Sequence, residues 1–119
     1  MNTQLKILIV DDSEFMRKVL IGILDGAGFK NFVEAENGQE ALKHIEAGAP
    51  DLVLLDLVMP EMTGQEVLKK IGNTVNVIVV SAVGQESSIA EAKSMGAKGY
   101  IVKPFDRKQV IDEITRVMP

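Results

Sequence analysis

Five side chains of this sequence could do chemistry together: Asp11, Asp12, Asp56, Ser81 and Lys103. Asp56 stands alone as an acid in "LVLLDLV" (Leu52–Val58), an otherwise apolar run. Aspartate is among the residues least often buried unpaired. Ionised in such surroundings it costs several kcal/mol or shifts its pKa upward. Three carboxylates brought together repel one another and stay ionised only if a cation joins them. The chain has no Cys and a single His, so an all-oxygen site would suit a hard ion, Mg²⁺ or Mn²⁺. A carboxylate can act as a nucleophile and form an acyl phosphate. An ammonium, a hydroxyl and a metal can neutralise the oxygens of the group transferred. The chemistry this set supports is phosphoryl transfer to Asp56. Singly, the residues read more blandly. Asp11 and Asp12 could be a turn and an N-cap, Ser81 a satisfied loop hydroxyl, Lys103 a solvated strand end, and His44 a structural residue on a helix.

These residues are tens of positions apart, so a fold must gather them. "KILIV" (Lys6–Val10), "LVLLDLV", "VNVIVVSAV" (Val75–Val83) and "GYIVK" (Gly99–Lys103) are rich in Val, Ile and Leu without alternation. That is how strands buried on both faces of a parallel sheet read. "NFVEAE" (Asn31–Glu36) is weaker, and its acids suggest an edge strand or one exposed face. Helical periodicity fills the intervals. Met16, Val19, Leu20, Ile23, Leu24 and Ala27 form one stripe, with Ser13 or Asp12 as N-cap and "GAG" (Gly26–Gly28) as stop. Ala41, Leu42 and Ile45 form a second stripe, Val67, Leu68 and Ile71 a third, and Val110, Ile111, Ile114 and Val117 the last. "ESSIAEAKSMGA" offers only Ile89, Ala92 and Met95, so the fourth helix should pack less firmly. A βα unit repeated five times predicts an α/β domain, a doubly wound five-stranded parallel sheet of flavodoxin-like order 2-1-3-4-5. In such a sheet ligands bind beyond the carboxyl ends of the strands, at the switch point between strands one and three. All five candidate residues are expected on that edge.

A chain of 119 residues suits one domain, expected over 1–119 with no output domain. The absence of Cys fits a reducing compartment. "MNTQLKILIVDD" holds too short an apolar run for a signal peptide or membrane span, so the expected location is cytoplasmic, with no membrane partner. A net charge of −4 argues against broad binding to nucleic acid, which needs a basic face.

Four segments carry a family resemblance across essentially the whole chain. "ILIVDDSEFMR", "LLDLVMPEMTG", "VVSA" and "GYIVKPF" follow one another at the spacing of the receiver domain of two-component response regulators. Together they are highly specific, and the sequence resembles most the single-domain chemotaxis regulators of the CheY type. The resemblance implies that Asp56 is the phospho-acceptor. It implies that Asp11, Asp12, Asp56 and the backbone carbonyl of Val58 hold Mg²⁺, and that Lys103 contacts the phosphoryl group, with a cis bond to Pro104. Ser81 would hydrogen-bond that group, with Tyr100 turning inward as the switch. It implies a histidine kinase as donor and a phosphatase as a further partner. The readout surface would be the fourth helix, fifth strand and fifth helix, which would bind a flagellar switch component or another protein. The chain would act as a monomer and catalyse its own phosphorylation and slow dephosphorylation. The alternative is a single-domain phosphorelay receiver that passes phosphate to another phosphotransfer protein.

At the two positions where relatives often tune dephosphorylation, two past the acceptor and two past the hydroxyl, this chain has Val58 and Val83. Valine cannot orient an attacking water, which predicts slow loss of the phosphoryl group. Two other classes fit poorly. A haloacid-dehalogenase-like phosphatase wants an Asp where Ser13 stands. A flavin or nucleotide module wants a Gly/Ser/Thr-rich loop where "DDSEF" would repel a phosphate.

Overall fold

The computed structural model describes residues 2–48 and 50–119; Ala49 and Met1, the first residue of the expected 1–119 domain, lie outside the described residues. The elements run β1 (Lys6–Val10), α1 (Glu14–Gly26), β2 (Asn31–Ala35), α2 (Gly38–Gly48), β3 (Leu52–Leu55), α3 (Gly64–Ile71), β4 (Asn76–Ser81), α4 (Glu86–Ser94), β5 (Gly99–Val102) and α5 (Arg107–Val117). The strands form one parallel sheet in the order β2-β1-β3-β4-β5. This is the predicted flavodoxin-like topology, with the weak second strand at an edge.

The apolar runs predict the strands but overstate their ends. β3 stops at Leu55 rather than Val58 and β5 at Val102 rather than Lys103, while β4 ends at Ser81 as expected. Burial is the reason. Leu57 and Met59 stay buried beyond β3, so the apolar signal outlasts the ladder.

Each face of the sheet buries its own cluster. Leu8, Val10, Val53, Leu55, Val77 and Val79 point to α2, α3 and α4, where Ala41, Val67, Leu68, Ile71 and Ala92 meet them. Ile7, Ile9, Leu52, Leu54, Ile78 and Val80 point to α1 and α5, against Leu20, Leu24, Val110 and Ile114. Each such fully buried Leu, Ile or Val is worth about 1.5–3 kcal/mol relative to exposure.

Side-chain caps open α1, α3 and α5. Ser13 accepts the Met16 N–H at the start of α1, and Gly28 follows the helix at φ 102. Capping boxes open α3 (Thr63 with Glu66) and α5 (Asp106 with Gln109). α4 differs as predicted. Gln85 makes no side-chain cap bond, and Ala92 is the helix's one buried residue. An element with so little buried apolar contact opens at low free-energy cost.

Candidate functional site

The register of the sheet builds the site. Val10 pairs with Leu55, and the Asp56 N–H donates to the Val10 carbonyl at 3.0 Å. Asp11 and Asp56 therefore leave β1 and β3 side by side, at the switch point. Carboxylate oxygens of Asp11, Asp12 and Asp56 all lie within 4.8 Å of one another. Asp11 (2 % exposed) and Asp56 (6 %) are buried, while Asp12 faces solvent. On the far side, Ser81 pairs with Val102, and the Lys103 N–H donates to the Ser81 carbonyl at 2.9 Å. That places the Lys103 side chain over the acids. Its Nζ lies 2.8 Å from Asp11 Oδ2 and 3.4 Å from Asp56 Oδ2. The Lys103–Pro104 bond is cis.

The electrostatics follow from this crowding. Burial pushes the Asp56 carboxyl above its ordinary value. The Val58 N–H (3.2 Å from Oδ1) and the Lys103 charge pull it back only in part, and the Asp11 charge adds to the rise. Burial alone would lower Lys103; the Asp11 hydrogen bond and the charges of Asp56 and Asp11 outweigh it and hold the ammonium above its ordinary value. One ammonium against three carboxylates leaves the pocket short of positive charge. With oxygen donors only, the missing charge fits a hard divalent cation. Beside the acids, Asp12, Glu36, Asn37, Pro60 and Glu61 line an open cleft that gives a ligand access. The Val58 side chain, two residues past Asp56, is 63 % exposed.

Ser81 sits at the end of β4 as expected, and it is wholly buried. Among the described residues, its side-chain hydrogen bonds run to neither Asp56 nor Lys103. Its Oγ accepts the Val83 N–H at 3.2 Å. The Tyr100 hydroxyl donates to the Val83 carbonyl. Burial raises the Tyr100 pKa, the neighbouring Ser81 hydroxyl opposes this and the Asp56 charge adds to the rise. Tyr100, Ser81 and the loop after β4 thus form one linked unit. His44 is exposed on α2 and takes no part.

One residue of the site escaped the sequence reading. Arg17 is only 8 % exposed; its Nη1 donates to the Asp11 carbonyl at 2.6 Å and its Nε to Glu34 Oε1 at 2.9 Å. The available signal was its place on the buried stripe of α1, three and seven residues before Leu20 and Leu24. A charge on such a stripe needs an acid opposite it.

Three acids and a lysine thus meet at the switch point of a (βα)₅ sheet, the place where ligands bind in this topology. The profile of the response regulator receiver domain matches residues 7–115, and the chain belongs to that family. Within the family it resembles the chemotaxis protein CheY of Thermotoga maritima, 42% identical over 94% of this chain and 96% of that one. It is 38% identical to sporulation initiation phosphotransferase F of Bacillus subtilis, over 96% of this chain and 94% of that one. Among solved structures, the CheX–CheY–BeF₃–Mg²⁺ complex from Borrelia burgdorferi superposes with a TM-score of 0.91 at 36% identity, covering 97% of this chain and 90% of that one. The chain is a CheY-type response regulator of two-component signalling. No helix among the described residues is long and apolar enough to cross a membrane.

Proposed function

We propose that this chain is a cytoplasmic, phosphorylation-activated switch of chemotaxis. In this reading Asp56 takes a phosphoryl group from a histidine kinase. The observation that carries it is the meeting of Asp11, Asp12 and Asp56 within 4.8 Å, with Lys103 bonded to two of them. Asp11, Asp12, Asp56 and the Val58 carbonyl hold Mg²⁺, or Mn²⁺ in its place. Bound there, the ion offsets negative charge on the phosphoryl oxygens. An Asp56 carboxylate oxygen attacks phosphorus as the bond to the donor's imidazole nitrogen breaks. The bonding pair stays on that nitrogen, which takes up a proton, and an aspartyl phosphate remains. Lys103 then exchanges a carboxylate partner for a phosphoryl oxygen. Ser81 gains a new acceptor, and the Tyr100–Val83 link passes the change to α4, β5 and α5, the surface that binds the target.

The test is incubation with acetyl phosphate, with and without Mg²⁺, followed by mass mapping. A phosphoryl increment on the Asp56 peptide that needs the metal is expected; an increment elsewhere, or none, overturns the reading. The target is read as a flagellar switch component. The likeness to sporulation initiation phosphotransferase F favours a second reading, transfer onward to a phosphotransfer protein. The likeness to a CheY held in complex with CheX supports a phosphatase partner. Capture with and without beryllofluoride separates these targets.

Val58 and Val83 give the phosphorylated state its lifetime. Neither side chain can orient water toward phosphorus. Introducing Val58→Asn with Val83→Glu is expected to speed phosphoryl loss by up to about a hundredfold, the lower end of the range for a positioned acid–base group. Equal decay of the two purified phosphoproteins would show that these positions do not set the rate.

A further inference from the structure

We propose that Arg17 is a positioning residue of the acidic pocket, holding the peptide that joins Asp11 to Asp12 and tying it through Glu34 to edge strand β2. This rests on the reading of the pocket as a Mg²⁺ site.

The polar groups of Asp11 are each engaged by a different element. Its N–H donates to the Ala35 carbonyl at 3.1 Å. Its Oδ1 accepts the Ser13 N–H at 2.9 Å, and its Oδ2 accepts Lys103 at 2.8 Å. The backbone carbonyl remains. In a strand, the N–H and C=O of one residue point to the same side, so this carbonyl also faces β2. β2 ends at Ala35, where the chain turns toward α2. Arg17 supplies the donor that the ladder no longer provides, at 2.6 Å.

A guanidinium buried this deeply needs an anion. Glu34 provides it, on the α1-facing side of β2, and its second oxygen takes Lys18 at 2.8 Å. The lowered pKa of Glu34, set first by the Lys18 hydrogen bond against the cost of burial and then by Arg17, agrees with a carboxylate kept charged. The planar fork of arginine lets Nη1 bond the carbonyl while Nε bonds the carboxylate, two separated donors in fixed directions that the single nitrogen of lysine does not offer.

The consequence falls on Asp12. Among the described residues no hydrogen bond holds its exposed carboxylate, so its direction depends on the backbone that carries it. The carbonyl that Arg17 grips belongs to the peptide unit preceding Asp12. Arg17 therefore sets the plane from which a metal ligand projects, without touching the metal.

The sign of one effect distinguishes positioning from charge. Removing a cation beside three acids should, by electrostatics alone, tighten Mg²⁺ binding; loss of positioning should weaken it. Calorimetric Mg²⁺ titration of wild type, Arg17→Met, Arg17→Lys and Glu34→Gln reads this directly, with circular dichroism confirming the folded fraction. Arg17→Met is expected to bind Mg²⁺ about tenfold more weakly, in the range for groups that orient metal ligands. Arg17→Lys should be weakened nearly as much although its charge is kept, and Glu34→Gln less. Arg17→Lys keeps the stem and the charge, so it carries the same test if Arg17→Met does not fold. Folded Arg17 variants that bind Mg²⁺ as tightly as wild type, or more tightly, overturn the inference alone. Wild type that takes up no Mg²⁺ overturns the metal reading beneath it.

Discussion

Asp56→Asn is expected to abolish phosphoryl acceptance and, in the absence of metal, to raise the melting temperature. The two effects share one cause. The carboxylate sits in a buried place (6 % exposed) beside Asp11, and in the function proposed above its oxygen is the nucleophile, so that the fold bears the cost of the chemistry. A carboxamide has the same shape but no anionic oxygen to attack phosphorus, so labelling from acetyl phosphate should fall to background. It also removes one of three crowded negative charges and leaves Lys103 its 2.8 Å bond to Asp11. We expect a gain of about 1 kcal/mol, or roughly 4 °C in melting temperature for a domain of this size. The pH dependence has a definite sign. Burial raises the Asp56 pKa above its ordinary value of 3.8, so the folded state binds the proton more tightly than the unfolded chain. The stability this contributes is full below that ordinary value and is lost as pH rises through the raised one. Metal-free wild type should therefore lose this stability on going from about pH 4 upward, and Asp56→Asn should lack that component. Mg²⁺ should offset the loss in wild type and matter little in the variant. An Asp56→Asn protein that melts below wild type in chelator would contradict this account.

Gly64→Ala is expected to be the most damaging small substitution near the site. A Cβ on Gly64 would lie 2.3 Å from the Asp56 carbonyl oxygen and 2.6 Å from the Leu57 Cα. Both are backbone atoms and cannot swing aside. Gly64 N–H also donates to the Leu57 carbonyl at 2.9 Å, holding the start of α3 against the acceptor segment. Relief requires the two chains to part, at a cost of about 3 kcal/mol, and the parting moves Asp56 itself. Gly22→Ala is the matched control. Gly22 lies inside α1 with nothing within 4 Å of its would-be Cβ, so alanine there should stabilise by about 0.5–1 kcal/mol. Urea unfolding should shift in opposite directions for the two variants, and only Gly64→Ala should also slow phosphorylation. A Gly64→Ala protein as stable as wild type would mean that this close approach does not exist in solution.

Strand identity, strand order and the edge position of β2 were legible because buried parallel strands need unbroken apolar runs and an edge strand tolerates acids. The weakness of α4 was legible for a similar reason, since its few apolar residues cannot build a buried stripe. Glu34 was read as a sign of exposure, yet it is the anion for a buried Arg17. Nothing local distinguishes the two, because the partner comes from another element.

The sequence by itself determined the elements, their order in the sheet and which edge the acids occupy. These follow from periodicity, burial preference and the handedness of crossovers, all carried by neighbouring residues. Only the tertiary structure decided that Ser81 bonds the Val83 backbone, that Tyr100 holds the same loop, that Gly64 presses on Asp56, and that Arg17 grips Asp11. Those contacts depend on the height and angle at which each helix and loop meets the sheet. That geometry is set by the packing of both cores together, and no local spacing encodes it.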